Sequence, residues 1–232
     1  VLPILIFLEE FQRGDLGWVE GGSLAFSQRI ADHFTSLGGK LVTSAPVEKI
    51  LVRDGRAAGV RLKDGTEHTA GRIISAADGY ATIFSLLDGH YTSPILDDYY
   101  RDVPKSQPFG LIVYMGVNRD LSKEAHSLIP LLEEPITVEG REIDSFYMNI
   151  YPSVMGLAPS GKSVIKVDME GTYEFWKTLY DKDRKAYKEE KEKVYRTILQ
   201  TLEKRFPGIG REVEAYDVST PVTAERFSGN IR

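Results

Sequence analysis

The sequence predicts an α/β (α+β) chain: a β-meander with a linking helix, then a mixed sheet flanked by helices. Three observations carry that prediction. Asp54-Gly55 and Asp64-Gly65 separate short β-rich runs with no helix-length segment between them, so these strands must connect as antiparallel hairpins. Beyond Pro108, apolar residues alternate with a period of two in three separate stretches, the pattern of strands with one covered face. Residues 173–206 then form the longest helical candidate, closed by Pro207-Gly208.

Taken in order, Gly21-Gly22-Ser23 opens a stretch with apolar residues at Leu24, Ile30, Ala31, Phe34 and Leu37. That spacing predicts an amphipathic helix with Ser23 as its N-cap. Gly38-Gly39 ends it, because glycine enters the left-handed region after a helix without steric cost. Short strands are expected over 40–43, 47–53, 57–62, 66–70 and 72–75. A short helix over 80–87 stops at Asp88-Gly89, and another over 94–103 starts at Pro94 and stops before Pro104. In the second sheet, Phe109, Leu111, Val113, Met115 and Val117 share a strand face. Phe146, Met148 and Ile150 share another, and Ile165, Val167 and Met169 a third. Residues 181–193 are charged at 11 of 13 positions, and a run of both signs reads as a solvated helix face. A last strand over 212–219 leads into Thr220-Pro221 and a helical start.

Composition narrows the function classes. With 232 residues, 42% hydrophobic and 27% charged, the chain can bury a sizeable core. A net charge of -5 argues against nucleic acid as a partner, which calls for a basic patch or stripe. Without cysteine there is no disulfide framework, thiolate metal site or cysteine nucleophile. The histidines His33, His68, His90 and His126 are scattered without ligand spacing, so no metal is expected. Neither a G-x-G-x-x-G cradle nor a G-x-S-x-G elbow is present. The apolar run before Glu9 is shorter than the roughly 18–20 residues a membrane span needs. A cytoplasmic location is expected. The chain starts at Val1 and stops at Arg232 inside a motif, so it is read as a piece of a longer protein.

What remains is carried by two segments. Residues 20–78 read E-G-G-S-L-A, then L-G-G-K-L-V-T-S-A-P-V-E-K-I, then D-G-R-A-A-G-V-R-L-K-D-G, and close on A-x-x-I-I-S-A-A-D. Residues 220–230 read T-P-V-T-A-E-R-F-S-G-N. In order and spacing these resemble the phytoene desaturase, carotenoid isomerase and retinol saturase family of FAD-dependent oxidoreductases. The resemblance implies that residues 1–90 are the remnant of an FAD-binding domain and 91–232 a substrate-binding domain. The N-terminal dinucleotide motif and the final flavin-contacting segment lie outside the chain, so the piece alone is expected to be inactive.

The same resemblance implies roles for particular positions. Val47 matches the residue whose backbone holds the adenine of FAD, although a β-branched residue there could equally be core. Ala76, Ala77 and Asp78 match a turn close to the phosphate and ribose, while Asp78 by itself also reads as a helix cap. Gly21 and Gly22 match a loop beside the flavin ring, or simply a helix entry. Phe109, Leu111, Val113, Met115, Phe146, Met148 and Ile150 would line a tunnel for an apolar polyene or isoprenoid; the plain reading of such stripes is core. No catalytic acid or base is implied. The cofactor carries the reaction, in which hydride exchange desaturates, saturates or isomerises the substrate. Substrate of this kind comes from lipid, so peripheral contact with a membrane belongs to the expectation. Two alternatives share the fold: an amine-oxidase-like flavoprotein, and a non-enzymatic carrier of prenyl or lipid groups.

Overall fold

A computed structural model of the chain describes residues 9–10, 12–14, 19–102 and 109–229. The apolar run 1–8, the side chain of Phe109 and Asn230 lie outside the described residues. Helix α1 spans Gly22–Ser36 and is preceded by Gly21 at φ 81°, so the helix starts one residue before the expected Ser23 cap. The meander follows as β1 (Val47–Arg53), β2 (Arg56–Leu62) and β3 (Glu67–Thr69), paired antiparallel in that order. Asp54 and Gly55 both have positive φ, as the tight turn between right-twisted strands requires.

Two expected strands are missing. Residues 40–43 and 72–75 run without a ladder, and Leu41, Val42 and Ile74 are exposed, Ile74 at 93%. Both stretches are β-rich, but a strand exists only against a partner, and no described strand lies alongside them. A π-helical turn over Ala81–Leu86 packs on β1, tied by the Lys49–Asp88 ion pair. Helix α2 (Pro94–Asp102) closes on it through Tyr100, whose ring meets Tyr80 and Phe84 edge-on.

The second sheet contains β4 (Phe109–Val117), β5 (Ser127–Leu128), β8 (Tyr147–Pro152), β9 (Ser163–Gly171) and β10 (Val213–Ser219). Its strand order is β10-β4-β9-β8-β5. The expected class of helices with sheets holds, but every pairing in this sheet is antiparallel where a mixed sheet was expected. A separate hairpin, β6 (Leu131–Val138) with β7 (Arg141–Ser145), turns at Glu139-Gly140.

Helices cover one side of the sheet. The long helix expected over 173–206 is two helices, α3 (Tyr173–Lys182) and α4 (Arg184–Arg205). Asp183 breaks it: in extended conformation, its carboxylate takes the N–H groups of Lys185 and Ala186 and caps α4. The break lets Tyr187 turn into the core against Trp176, leaving most of the charged run in solvent. Glu203 closes the other end of α4 by accepting from Gly210 N at 2.9 Å and Gly208 N at 2.5 Å. Those hydrogen bonds hold its carboxyl below the ordinary glutamate value. A group shifted down contributes stability above its unfolded value and loses it as pH falls through the folded one. The urea midpoint is therefore expected to fall on acidification through the carboxylate range, and Glu203→Gln to flatten that part of the titration.

Helix α5 (Pro221–Ser228) explains the second sequence motif. Thr220 caps it, accepting from Thr223 N, with Pro221 in the first turn and Thr223 answering in a reciprocal capping box. Thr220 is also fully buried and meets the Tyr187 hydroxyl at 2.8 Å. Glu225 accepts from the Tyr173 hydroxyl at 3.0 Å. Burial, together with that carboxylate, pushes Tyr173 up to about 12. Thr220→Ala removes the cap and leaves the Tyr187 hydroxyl only the longer 3.4 Å contact with Thr223 Oγ1, an expected loss of about 2 kcal/mol. Thr220→Ser should restore most of it, read by urea denaturation.

A sheet face left open beside the glycine loop

Alternation along β4, β8 and β9 gives the sheet two chemically different faces. Leu111, Val113, Met115, Met148, Ile150, Ile165 and Val167 are completely buried and pack with Trp176, Ile198 and Leu202 of the covering helices. Leu111, Val113, Met115, Phe146, Met148 and Ile150 were expected to line a substrate tunnel. That expectation is corrected: these side chains are core, because the helices occupy the space in front of them. Phe146 alone of the six also borders an open cavity.

No helix among the described residues covers the opposite face. It presents Ile112 and Tyr114 of β4, Tyr147, Asn149 and Tyr151 of β8, and Val164, Lys166 and Asp168 of β9. Register places Tyr114 and Asn149 on either side of Lys166, and Ile112 and Tyr147 on either side of Asp168. One end of this face opens into a cavity of about 350 Å³ bounded by Tyr114, Tyr151, Leu157, Val164 and Lys166. The other end opens into one of about 620 Å³, whose walls include Gly110, Tyr147, Asp168 and Ile129.

Polar groups cluster between the two. Lys166 Nζ lies 3.0 Å from Asp168 Oδ1. Burial opposes the charge on Lys166, but the hydrogen bond to Asp168, the attraction of that carboxylate's charge and smaller contributions from Tyr114 and Tyr151 together hold its pKa above the ordinary lysine value. Tyr147 donates to Ser127 Oγ at 3.1 Å, and Asn149 Nδ2 donates to the same oxygen at 2.8 Å. The Ser127 and Asn149 hydrogen bonds draw the Tyr147 phenol below its usual value, whereas burial pushes Tyr151 above it. Period-two alternation contained this face too. Its polar and aromatic residues sit at the positions between the apolar ones, where sequence reasoning did not look.

The remaining candidates fall into two places. Gly21 and Gly22, at φ 81° and 77°, enter α1 beside the open face: a Cβ on Gly22 would stand 3.2 Å from Leu157 Cδ2, part of the 350 Å³ cavity wall. Side chains are thus kept out of a narrow gap next to that cavity. Val47, Ala76, Ala77 and Asp78 belong to the meander side instead. A cavity of about 490 Å³ runs from Val42 to Pro46 and along Leu62, Lys63 and Asp64. Its walls include both neighbours of Val47, Pro46 in the chain and Leu62 across the ladder. Ala76 and Ala77 are exposed with no bulky side chain over them, while the Asp78 carboxylate takes Ala81 N–H at 2.9 Å and caps the π-helical turn. The glycine pair, the cavity beside Val47 and the small residues at 76–77 suit a flat, nucleotide-bearing cofactor. Asp78 is already occupied as a cap.

The fold is similar to that of a solved oxidoreductase from Methanosarcina mazei. The two agree with a TM-score of 0.60 at 23% identity, over 87% of this chain and 43% of the other. The chain belongs to the family described as flavin containing amine oxidoreductase, which it matches over residues 2–224. Among its relatives is the chloroplastic prolycopene isomerase of Arabidopsis thaliana, 30% identical over 220 residues, or 92% of this chain and 36% of that protein. Another is a neurosporene-forming phytoene desaturase of Cereibacter sphaeroides, 28% identical over 217 residues, or 88% of this chain and 40% of that one. The chain therefore spans little more than a third of the length of these relatives. No helix among the described residues is long and apolar enough to cross a membrane.

Proposed function

We propose that the protein carrying this chain exchanges hydride between a carbon of an apolar polyene and bound FAD, desaturating, saturating or isomerising the substrate. The bare face of the second sheet is the observation that carries this reading. Polyenes offer almost nothing to hydrogen-bond, so they are held by shape and apolar contact over an extended surface. Tyr114, Tyr151, Leu157 and Val164 supply such a surface beside Gly22, with Ile112 further along the same face. Bound FAD would accept or return two electrons as hydride; this chain's residues orient the substrate and exclude water. Residues 1–90 serve the cofactor, through Gly21, Gly22, the backbone at Val47 and the close approach allowed at Ala76 and Ala77. Residues 91–232 serve the substrate.

Unsatisfied surfaces on the first part support this division. Helix α1 has no buried residue, and Leu24, Phe26, Ile30, Phe34 and Leu37 are all exposed. With Leu41, Val42 and Ile74 they form the kind of apolar surface that a further layer of a cofactor domain covers. The proposal extends to peripheral contact with a membrane, from which a polyene is collected. Purification of the whole protein should yield a visible flavin band that bleaches when a polyene or its reduced form is added without oxygen. A colourless protein, or a flavin band indifferent to polyenes and responsive to amines, overturns the reading.

A further inference from the structure

Resting on that reading of the open face, we propose that Phe146 is a specificity-determining residue: it stops the end of the polyene and closes off a second apolar subsite behind it. A polyene lying along the bare face runs into the 620 Å³ cavity, where Ile129, Ile143 and Met169 give the walls apolar character. That cavity is walled by the whole of β7 and by Phe146, which follows it directly. A second cavity, of about 420 Å³, is walled by β6 instead, from Leu131 to Ile136, and by Thr201 and Leu202 of α4. The β6–β7 hairpin thus carries one cavity along each of its strands.

Phe146 is the only described residue in the walls of both, and it is 4% exposed. The chain passes from one cavity to the other at a second point, since Ile129 lines the first and Pro130 and Leu131 line the second. Between these points the hairpin is not continuously paired. Its register steps from Leu131–Ser145 to Ile136–Ile143, so residues 132–135 of β6 stand against Asp144 alone. A bulge of that kind interrupts the ladder. What stands between the cavities there is a side chain, not unbroken backbone pairing.

The second cavity suits more hydrocarbon. Both cations in its described lining are paired, Lys204 with Glu134 at 3.5 Å and Arg205 with Glu124 at 3.1 Å. Pro130, Leu131, Leu132, Ile136 and Leu202 remain as contact surface, and Leu131 is 82% exposed. Covering such a side chain is favourable in proportion to the apolar area removed from water. With Phe146 in place, carbons added to a polyene strengthen binding as far as the ring and gain nothing beyond it.

The test titrates the whole flavin-loaded protein with polyene hydrocarbons of increasing length, following the shift of their visible absorption on binding. Wild-type affinity is expected to rise with each added carbon and to stop rising at one length. Phe146→Leu, which shortens the stop and keeps the site apolar, should move that break to longer polyenes. The first polyene beyond the wild-type break should then bind at least about tenfold more tightly than it does to wild type. Adding Thr201→Phe, which fills the second cavity from α4, should reverse the gain, as it would not if Phe146→Leu merely loosened the fold. Affinity that climbs through the series without a break, a break that Phe146→Leu leaves in place, or a gain that Thr201→Phe leaves intact overturns the proposal and leaves the polyene reading standing. Failure of every polyene to bind overturns both. Should Phe146→Leu not fold, Phe146→Met, flexible and nearer in volume, carries the same comparison.

Discussion

Glu139→Ala is expected to destabilise the protein by about 3 kcal/mol, among the largest losses available from a single polar side chain. The Glu139 side chain is 0% exposed although it sits in a hairpin turn. Its carboxylate accepts from Trp176 Nε1 at 2.5 Å and from Thr172 N at 2.9 Å, and pairs with Arg141 at 2.8 Å. Thr172 precedes α3, so one carboxylate pins the β6–β7 hairpin to the start of the helix that seals the sheet. Truncation leaves the buried Trp176 Nε1–H and the part-buried Thr172 N–H without acceptors, the buried one alone worth about 1–3 kcal/mol, whereas Arg141 can turn to solvent. Glu139→Gln keeps one acceptor oxygen and should cost about half as much. Urea denaturation of both variants, at a pH where carboxylates are ionised, measures the difference.

The second large effect separates the two faces of one strand set. Met115→Ala empties part of a fully buried core site and should cost about 2–5 kcal/mol. Val164→Asp, on the open face, should change stability by no more than about 0.5 kcal/mol. Polyene affinity should respond in the opposite order. A charge placed in the 350 Å³ cavity must be desolvated against hydrocarbon, and binding is expected to fall by at least about tenfold. Paired melting curves and polyene titrations check both halves.

Local chemistry in the sequence was enough to locate the meander, the terminator of α1, α2 and the capped start of α5, because Asp-Gly turns, Gly38 and Thr220-Pro221 each act within a few residues. Three things needed tertiary information. Residues 40–43 and 72–75 have β composition, but whether they form strands depends on partners that composition does not reveal. The division at Asp183 was written in its capping chemistry and masked by the continuous charge around it. Most consequential was the choice of face. Period two shows that a strand has two sides and which is greasier, and the greasier side of β4, β8 and β9 went to the helices. The mixed face, with Tyr114, Tyr151, Lys166 and Asp168, was left uncovered by the described helices. In a one-sided sheet, the more apolar stripe is the one the protein keeps for itself. Only Gly21 and Gly22 were legible from their backbone demands and also lie beside that face.

Photocrosslinking tests most directly whether the bare face roofs a polyene channel. A polyene bearing a photoreactive group would be bound to the whole protein, irradiated, and its attachment sites mapped by mass spectrometry. Labels should fall on Tyr114, Tyr151, Leu157 and Val164, with none on Val113, Met148 or Val167. Labelling confined to the helices or the meander, with the sheet's bare side untouched, would contradict it.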